Sequence, residues 1–329
     1  MSKEDMINLF AHLLNYILAV PMIILGVTGS ILIVIIFTQK RQFRQNTSLT
    51  YLLAGAIMSG LHLAIVYTQW VLVYGFGVPI MNTNETACRE YLYLRYVTTV
   101  GAISFPCWAA FDQYVATSRD SAVRHRWSSL RLVRLVIIST VIFWILTYIP
   151  IIFSAGILNN ICILKPSLYA KFKIYILTPF VYEVGPAVII IFSTIGTVRN
   201  LRSNTVHRSR KRLTNQVRAM LMPQLIILAI SGIPFSFQAI YVDITNGSEK
   251  TTLRIALENF FDQIILVIYH FNYVFIFYIY LYKSSEVRKA LKEQFFKCIR
   301  KHQITFVATT TNNSFRLQRI NTTHWTQLA

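Results

Sequence analysis

Arg95, Glu183, Glu258, Asp262 and His270 each interrupt a long run of apolar residues. An ionisable group in hydrocarbon is costly, so its presence points first to a ligand, an ion path or a paired charge. Glu258 and Asp262 are spaced i,i+4 and share one helix face. One cation and several carboxylates suit a polar ligand, such as a peptide with a basic group. The same residues also suit an internal ion pair, Arg95 with Glu258 or Asp262, that only ties helices together. His62 and His270 read as hydrogen-bonded structural histidines as readily as ligand contacts. Asp112, Gln113 and Tyr114 form a second polar group further along the run that holds Arg95.

Enzyme chemistry is not expected from these residues. A catalytic zinc needs about three His or acidic ligands at one depth. Only His62 and His270 are candidates within the apolar runs, and no His-Glu-x-x-His motif occurs. Asp112 and Asp262 lie near opposite ends of their runs, which excludes a facing aspartate pair. No metal and no cofactor is expected.

The elements that must position these residues are transmembrane helices. Of 329 residues, 54% are hydrophobic and 14% charged, whereas soluble domains carry about 25% charged residues. A helix crossing the bilayer core needs ~20 mainly apolar residues. Runs at 13–37, 49–74, 91–115, 132–154, 174–198, 220–242 and 256–282 meet that length. The fold class expected is therefore an all-α membrane protein, a bundle of seven transmembrane helices. Pro21, Pro106, Pro150, Pro186 and Pro234 fall inside the runs, where a bundle tolerates them as kinks. No internal repeat is visible, which argues against a transporter built from repeated halves.

Loop charges set the orientation, because Lys and Arg concentrate on the cytoplasmic side. Lys40, Arg41 and Arg44 follow the first run, Arg119 to Arg131 the third, Arg199 to Arg218 the fifth, and a basic tail the seventh. The opposite loops are nearly balanced. The N-terminus is thus expected outside, and the net charge of +19 reads as a face toward anionic lipid headgroups rather than a nucleic-acid surface. The expected organisation is a short extracellular segment at 1–12, the bundle at 13–282, an amphipathic surface helix at 283–299 and a disordered cytoplasmic tail at 300–329. In that surface helix Val287, Ala290, Leu291, Gln294, Phe295 and Cys298 form an apolar stripe. Cys298 is a candidate for palmitoylation, or a free thiol. Asn84 and Asn246 head sequons in loops assigned outside. Cys88 and Cys162 both face the oxidising side, as a bridge or as two free thiols.

Seven helices, an outer N-terminus and cysteines at those two places resemble a rhodopsin-like G-protein-coupled receptor, as a divergent member. In that family an Asp-Arg-Tyr triplet ends helix three; here Asp112-Gln113-Tyr114 stands at its position. Trp144 and Pro150 match helix four, Pro186 helix five and Pro234 helix six, and residues 284–289 resemble the start of the eighth helix. The resemblance covers about 13–298 and implies several things. Cys88 and Cys162 would be bridged. Arg95, Glu183, Glu258, Asp262 and His270 would face a ligand entering from outside. Asp112, Gln113, Tyr114 and Tyr280 would form the switch that admits a heterotrimeric G protein, with arrestin docking on a phosphorylated tail. An arginine at 95 argues against a monoamine ligand, and the absence of lysine from 256–282 against retinal.

The chain also departs from the pattern. Ser30 replaces the helix-one asparagine, helix two has no aspartate, and Gly232 replaces the helix-six tryptophan. Thr194 replaces the helix-five tyrosine. Only Tyr280 remains of Asn-Pro-x-x-Tyr, within Ile276-Phe277-Tyr278-Ile279-Tyr280. With Gln113 uncharged and no acid around 220–224, both partners of the family's inner ionic lock are missing together. The expected function is a receptor in the plasma membrane; the alternatives are a channel or transporter and a non-signalling scaffold.

Overall fold

The computed structural model describes residues 3–118, 120–127, 129–158, 160–203, 208–245 and 248–297; within its helices the side chains of Glu183, 201–216, Leu225 and Ala229 fall outside that description. The first unit, Met1–Ser284, is a bundle of long helices: α1 (Lys3–Gln39), α2 (Thr47–Tyr74), α3 (Glu85–Ala116), α4 (Leu130–Ser154), α5 (Leu168–Asn200), α6 (Arg208–Ile244), α7 (Thr252–Val274) and α8 (Ile276–Lys283). Five of these, α1, α2, α4, α5 and the Val217–Ile244 part of α6, are long and apolar enough to cross a membrane. The pair α7 and α8, bent by 45° at Phe275, makes a sixth if it is one broken span. Length and composition thus make this an all-α, multi-pass membrane protein. The expected run in α3 is long, at 32 residues, but is not among these apolar helices; it carries Arg89, Glu90, Arg95 and Asp112.

Caps place the helix ends. Asn46 caps α2 by accepting from Leu49 N at 3.0 Å. Asn84 caps α3 by accepting from Thr86 N at 2.8 Å, and Ser167 caps α5 by accepting from Ala170 N at 3.1 Å. Each satisfies an amide that the first turn leaves open. Helix α1 begins at Lys3, so part of the expected extracellular segment 1–12 is helical and continuous with the first span. At 37 residues α1 is about 55 Å long, more than a ~30 Å hydrocarbon core needs. Wide π-turns interrupt α1 at Asn15–Ala19, α2 at His62–Tyr67, and α5 at Lys173–Leu177 and Phe180–Val184. Such turns rotate the side chains that follow and recur at functional positions.

Helix α3 is the hub, packing against α2, α4, α5 and α6. Small residues and buried polar bonds join the helices, as expected where lipid removes the hydrophobic drive to associate. A Cβ on Gly29 would stand 2.9 Å from Phe277 Cβ, so this glycine lets α1 approach α8. Trp108 Nε1 donates to Thr140 Oγ1 at 3.1 Å and Trp144 Nε1 to Ser104 Oγ at 2.9 Å, tying α3 to α4. Asn15 Nδ2 donates to Gln263 Oε1 at 3.0 Å, tying α1 to α7.

After α4 the chain forms an antiparallel hairpin, β1 (Ala155–Leu158) and β2 (Ile161–Leu164), where the sequence reading has only a loop. Asn160 turns it at φ 58°, a left-handed conformation that asparagine tolerates. Ile157 pairs with Cys162. Cys162 N donates to Asn82 Oδ1 at 3.0 Å, and Cys162 is disulfide-bonded to Cys88 at the head of α3. The second unit begins at Ser285. Its residues 285–297 are helical, with Phe295 and Phe296 exposed. Cys298 and the segment 300–329 lie outside the described residues, as does Asn246.

Candidate functional site

Two polar groups lie at opposite ends of α3. Near the disulfide, a cavity opens between α2, α3, α5, α6 and α7, and Arg95 and His270 both line it. Tyr91, Arg95 and Thr99 reach it from α3 because residues four apart stack on one face. Trp70, Phe235 and Leu266 supply apolar wall. The void left between the side chains has room for a water molecule or two.

The floor is a buried histidine pair. His270 Nδ1 lies 2.7 Å from the Leu266 carbonyl, which only accepts, so His270 donates there and its Nε2 is bare. His62 Nε2, 3.3 Å from His270 Nε2, therefore carries a proton toward it. His62 Nδ1 faces Thr98 Oγ1 at 2.9 Å and Thr99 Oγ1 at 3.4 Å. Tyr67 stacks on His270 at 3.7 Å between ring centroids and Tyr273 on His62 at 4.6 Å. His270 thus lines the cavity with both ring nitrogens engaged.

The charged residues separate. Among the described residues no carboxylate lies within 4.0 Å of Arg95. Its electrostatic neighbours are Tyr91, Tyr96, Asp262 and Tyr182. Glu258 is not brought to the cavity. It holds Lys250 Nζ at 2.6 Å and Arg254 Nε at 2.8 Å and accepts from Tyr241 Oη at 2.8 Å. Glu183 sits in the second π-turn of α5, and its side chain lies outside the described residues. Helix α5 also carries Lys173, which is buried beside Tyr96 but is not among the residues that line the cavity. Its Nζ donates to Tyr96 Oη at 2.6 Å and lies 4.1 Å from the centre of the Tyr96 ring. The sequence reading missed Lys173 because the fifth apolar run starts only at 174. Pro166-Ser167, a helix-start signal, would have extended the helix back over it.

At the other end of α3 Asp112 accepts from Thr47 Oγ1 at 2.7 Å and from Ser48 Oγ. Gln113 Nε2 donates to Ser48 Oγ at 2.7 Å. Both residues are buried and bind α3 to the start of α2. The Tyr114 ring covers Gly196 of α5, where an added Cβ would stand 2.5 Å from it. Tyr280 Oη donates to Gln224 Oε1 at 3.0 Å. Gln224 is the partner the sequence reading passed over when it looked for an acid around 220–224. This neutral hydrogen bond joins α8 to α6.

Asn84 is exposed, and its Oδ1 caps α3 while Nδ2, the atom a glycan would occupy, makes no hydrogen bond among the described residues. Cys107 is a buried free thiol. Among the described residues no three His, Cys, Asp or Glu side chains gather to hold a metal ion. No protein-family model matches the chain, and no curated protein sequence matches it.

Proposed function

We propose that this chain is a seven-helix receptor of the plasma membrane, with its N-terminus outside, that passes the binding of an extracellular ligand to a heterotrimeric G protein. The count of seven takes α3 as a span and α7 with α8 as one broken span. The observation that carries the reading is α3 itself. At 32 residues it runs about 48 Å, from the cavity beside Arg95 to the cluster of Asp112 and Gln113. The disulfide fixes one end beside the hairpin, and hydrogen bonds from Asp112 and Gln113 to the start of α2 hold the other.

In this reading a ligand binds the cavity better in one of two helix arrangements. That difference in affinity is what shifts the inner end. The Tyr280–Gln224 bond between α8 and α6 is the contact that must break for α6 to move. The basic inner loops favour anionic lipid and steer an acidic partner surface.

The test is G-protein activation in cells across a panel of Gα subtypes, for wild type and Gln113→Arg, with surface expression measured in parallel. Activation above empty vector is expected for wild type in at least one subtype, with a changed basal level for Gln113→Arg. Silence from both at normal surface levels, together with ion flux across a reconstituted bilayer, would replace the receptor by a channel.

A further inference from the structure

We propose that the groove between α3, α4 and α5 is a phospholipid site, which takes an acyl chain along its apolar trough and an anionic headgroup at its Trp127 end. The site rests on the chain's being a multi-pass membrane protein and not on the receptor reading.

The groove is large and opens outward. It encloses about 880 Å³, within the ~300–1,000 Å³ of ligand pockets. Helix α3 contributes Trp108 and Phe111, α4 Phe143 and Trp144, and α5 Phe180 and Pro186. Phe143 and Phe180 are 57% and 63% exposed, and α4 and α5 are both membrane spans by length and composition. The medium that fills the groove is therefore the bilayer. The polar side chains of the lining turn back on the protein. Ser139 Oγ and Thr140 Oγ1 donate to the Val136 carbonyl at 3.0 and 2.7 Å. Cys107 Sγ donates to the Ile103 carbonyl at 3.3 Å, and the indoles of Trp108 and Trp144 are held by Thr140 and Ser104. With these donors spent, the trough presents a surface suited to hydrocarbon.

The Trp127 end is different. Trp127 closes the short helix Ser121–Trp127, lines the groove and packs edge-on against Phe111 at 5.3 Å between ring centroids. Its Nε1–H makes no hydrogen bond among the described residues, so it can donate to an ester or phosphate oxygen, as indoles at a membrane interface do. Residues 119–134 around it carry five arginines against one carboxylate, Asp120, and Arg126 and Arg131 are exposed. Each arginine at a membrane surface favours anionic lipid by roughly fivefold. A sterol or a neutral lipid would occupy the trough and leave this charge unanswered. A phospholipid with an anionic head answers both ends of the groove.

The experiment uses the full chain in phosphatidylcholine nanodiscs doped with phosphatidylserine, or with phosphatidylcholine, whose acyl chains carry bromine. Bromine quenches tryptophan fluorescence on contact, and Trp108, Trp127 and Trp144, three of the chain's five tryptophans, line the groove. Brominated phosphatidylserine is expected to quench saturably, at a mole fraction well below that needed by brominated phosphatidylcholine. Ser139 is exposed and lines the groove, so Ser139→Phe should fill the trough and abolish the saturable part at an unchanged unfolding midpoint. Arg126→Gln and Arg131→Gln should each keep the quenching and lower the preference for the serine lipid about fivefold. Equal quenching by the two lipids at every mole fraction, wild-type quenching in Ser139→Phe, or an undiminished preference in both Gln variants would each overturn the proposal. Displacement of the bromolipid by cholesterol but not by unbrominated phosphatidylserine would overturn it in favour of a sterol. Loss of quenching whenever two chains share a disc would overturn it in favour of a second copy of the chain.

Discussion

Tyr280→Phe removes one oxygen and leaves the Gln224 amide oxygen without its donor. Tyr280 is 1% and Gln224 3% exposed, so water does not replace the lost proton, and the bond they make is 3.0 Å long. An acceptor stranded in this way costs about 1–3 kcal/mol. Only the arrangement with α6 against α8 contains the bond, so the cost falls on that arrangement alone. A shift of about 1.4 kcal/mol is tenfold in a two-state population. Tyr280→Phe should therefore raise basal G-protein activation roughly tenfold at equal surface expression, and lower the unfolding midpoint of the purified chain. Tyr280→Phe with Gln224→Leu removes donor and acceptor together. It should recover much of the stability, because replacing both partners by apolar groups is nearly neutral, yet still leave α6 unlatched. A midpoint unchanged by Tyr280→Phe, or a double variant less stable than the sum of the two singles, would refute the reasoning. The midpoint reads the bond even if no G protein couples.

Gly29→Ala should destabilise by roughly 1–3 kcal/mol, as overpacking does, since its Cβ would meet Phe277 Cβ at 2.9 Å; an unchanged unfolding midpoint would show that α1 and α8 separate freely. Cys162→Ser releases a loop closed over a sequence separation of 74. The chain-entropy cost is about 4 kcal/mol for a free chain, less for one whose helices are already held in a membrane, so surface expression should fall sharply. Thr86→Ala removes the Asn84 sequon but keeps the Asn84 cap on α3. A faster-migrating band is expected if this loop faces the lumen during synthesis, and identical mobility, with or without glycosidase, would count against a glycan there.

The sequence by itself determined the class of the molecule. Apolar runs of helix length leave few alternatives, because a backbone in hydrocarbon must satisfy its own hydrogen bonds. Composition alone carried that inference, and it is strongest where a run lacks charge, as in α2. It is weakest for α3, whose charged residues set it apart from the apolar helices while its buried side chains make it the centre of the bundle. The caps at Asn84 and Ser167 are local chemistry that the count of apolar runs, beginning at 91 and 174, passed over. The Cys88–Cys162 bridge was expected from the common side of the two cysteines and from the resemblance, and the structure contains it.

What the tertiary structure decided is which charges meet. Sequence spacing put Glu258 and Asp262 on one face, but helix phase does not say which neighbour reaches that face. Lys250 and Arg254 took Glu258 away from the cavity. A π-turn at Lys173–Leu177 lies at the residue that reaches Tyr96, and no apolar-run count includes that lysine. Gln224 likewise looks like any neutral helix residue until Tyr280, 56 positions later, donates to it. Long-range pairing between helices depends on tilt, phase and local widening of a turn. These are settled by packing of the whole bundle, and no short stretch of sequence records them.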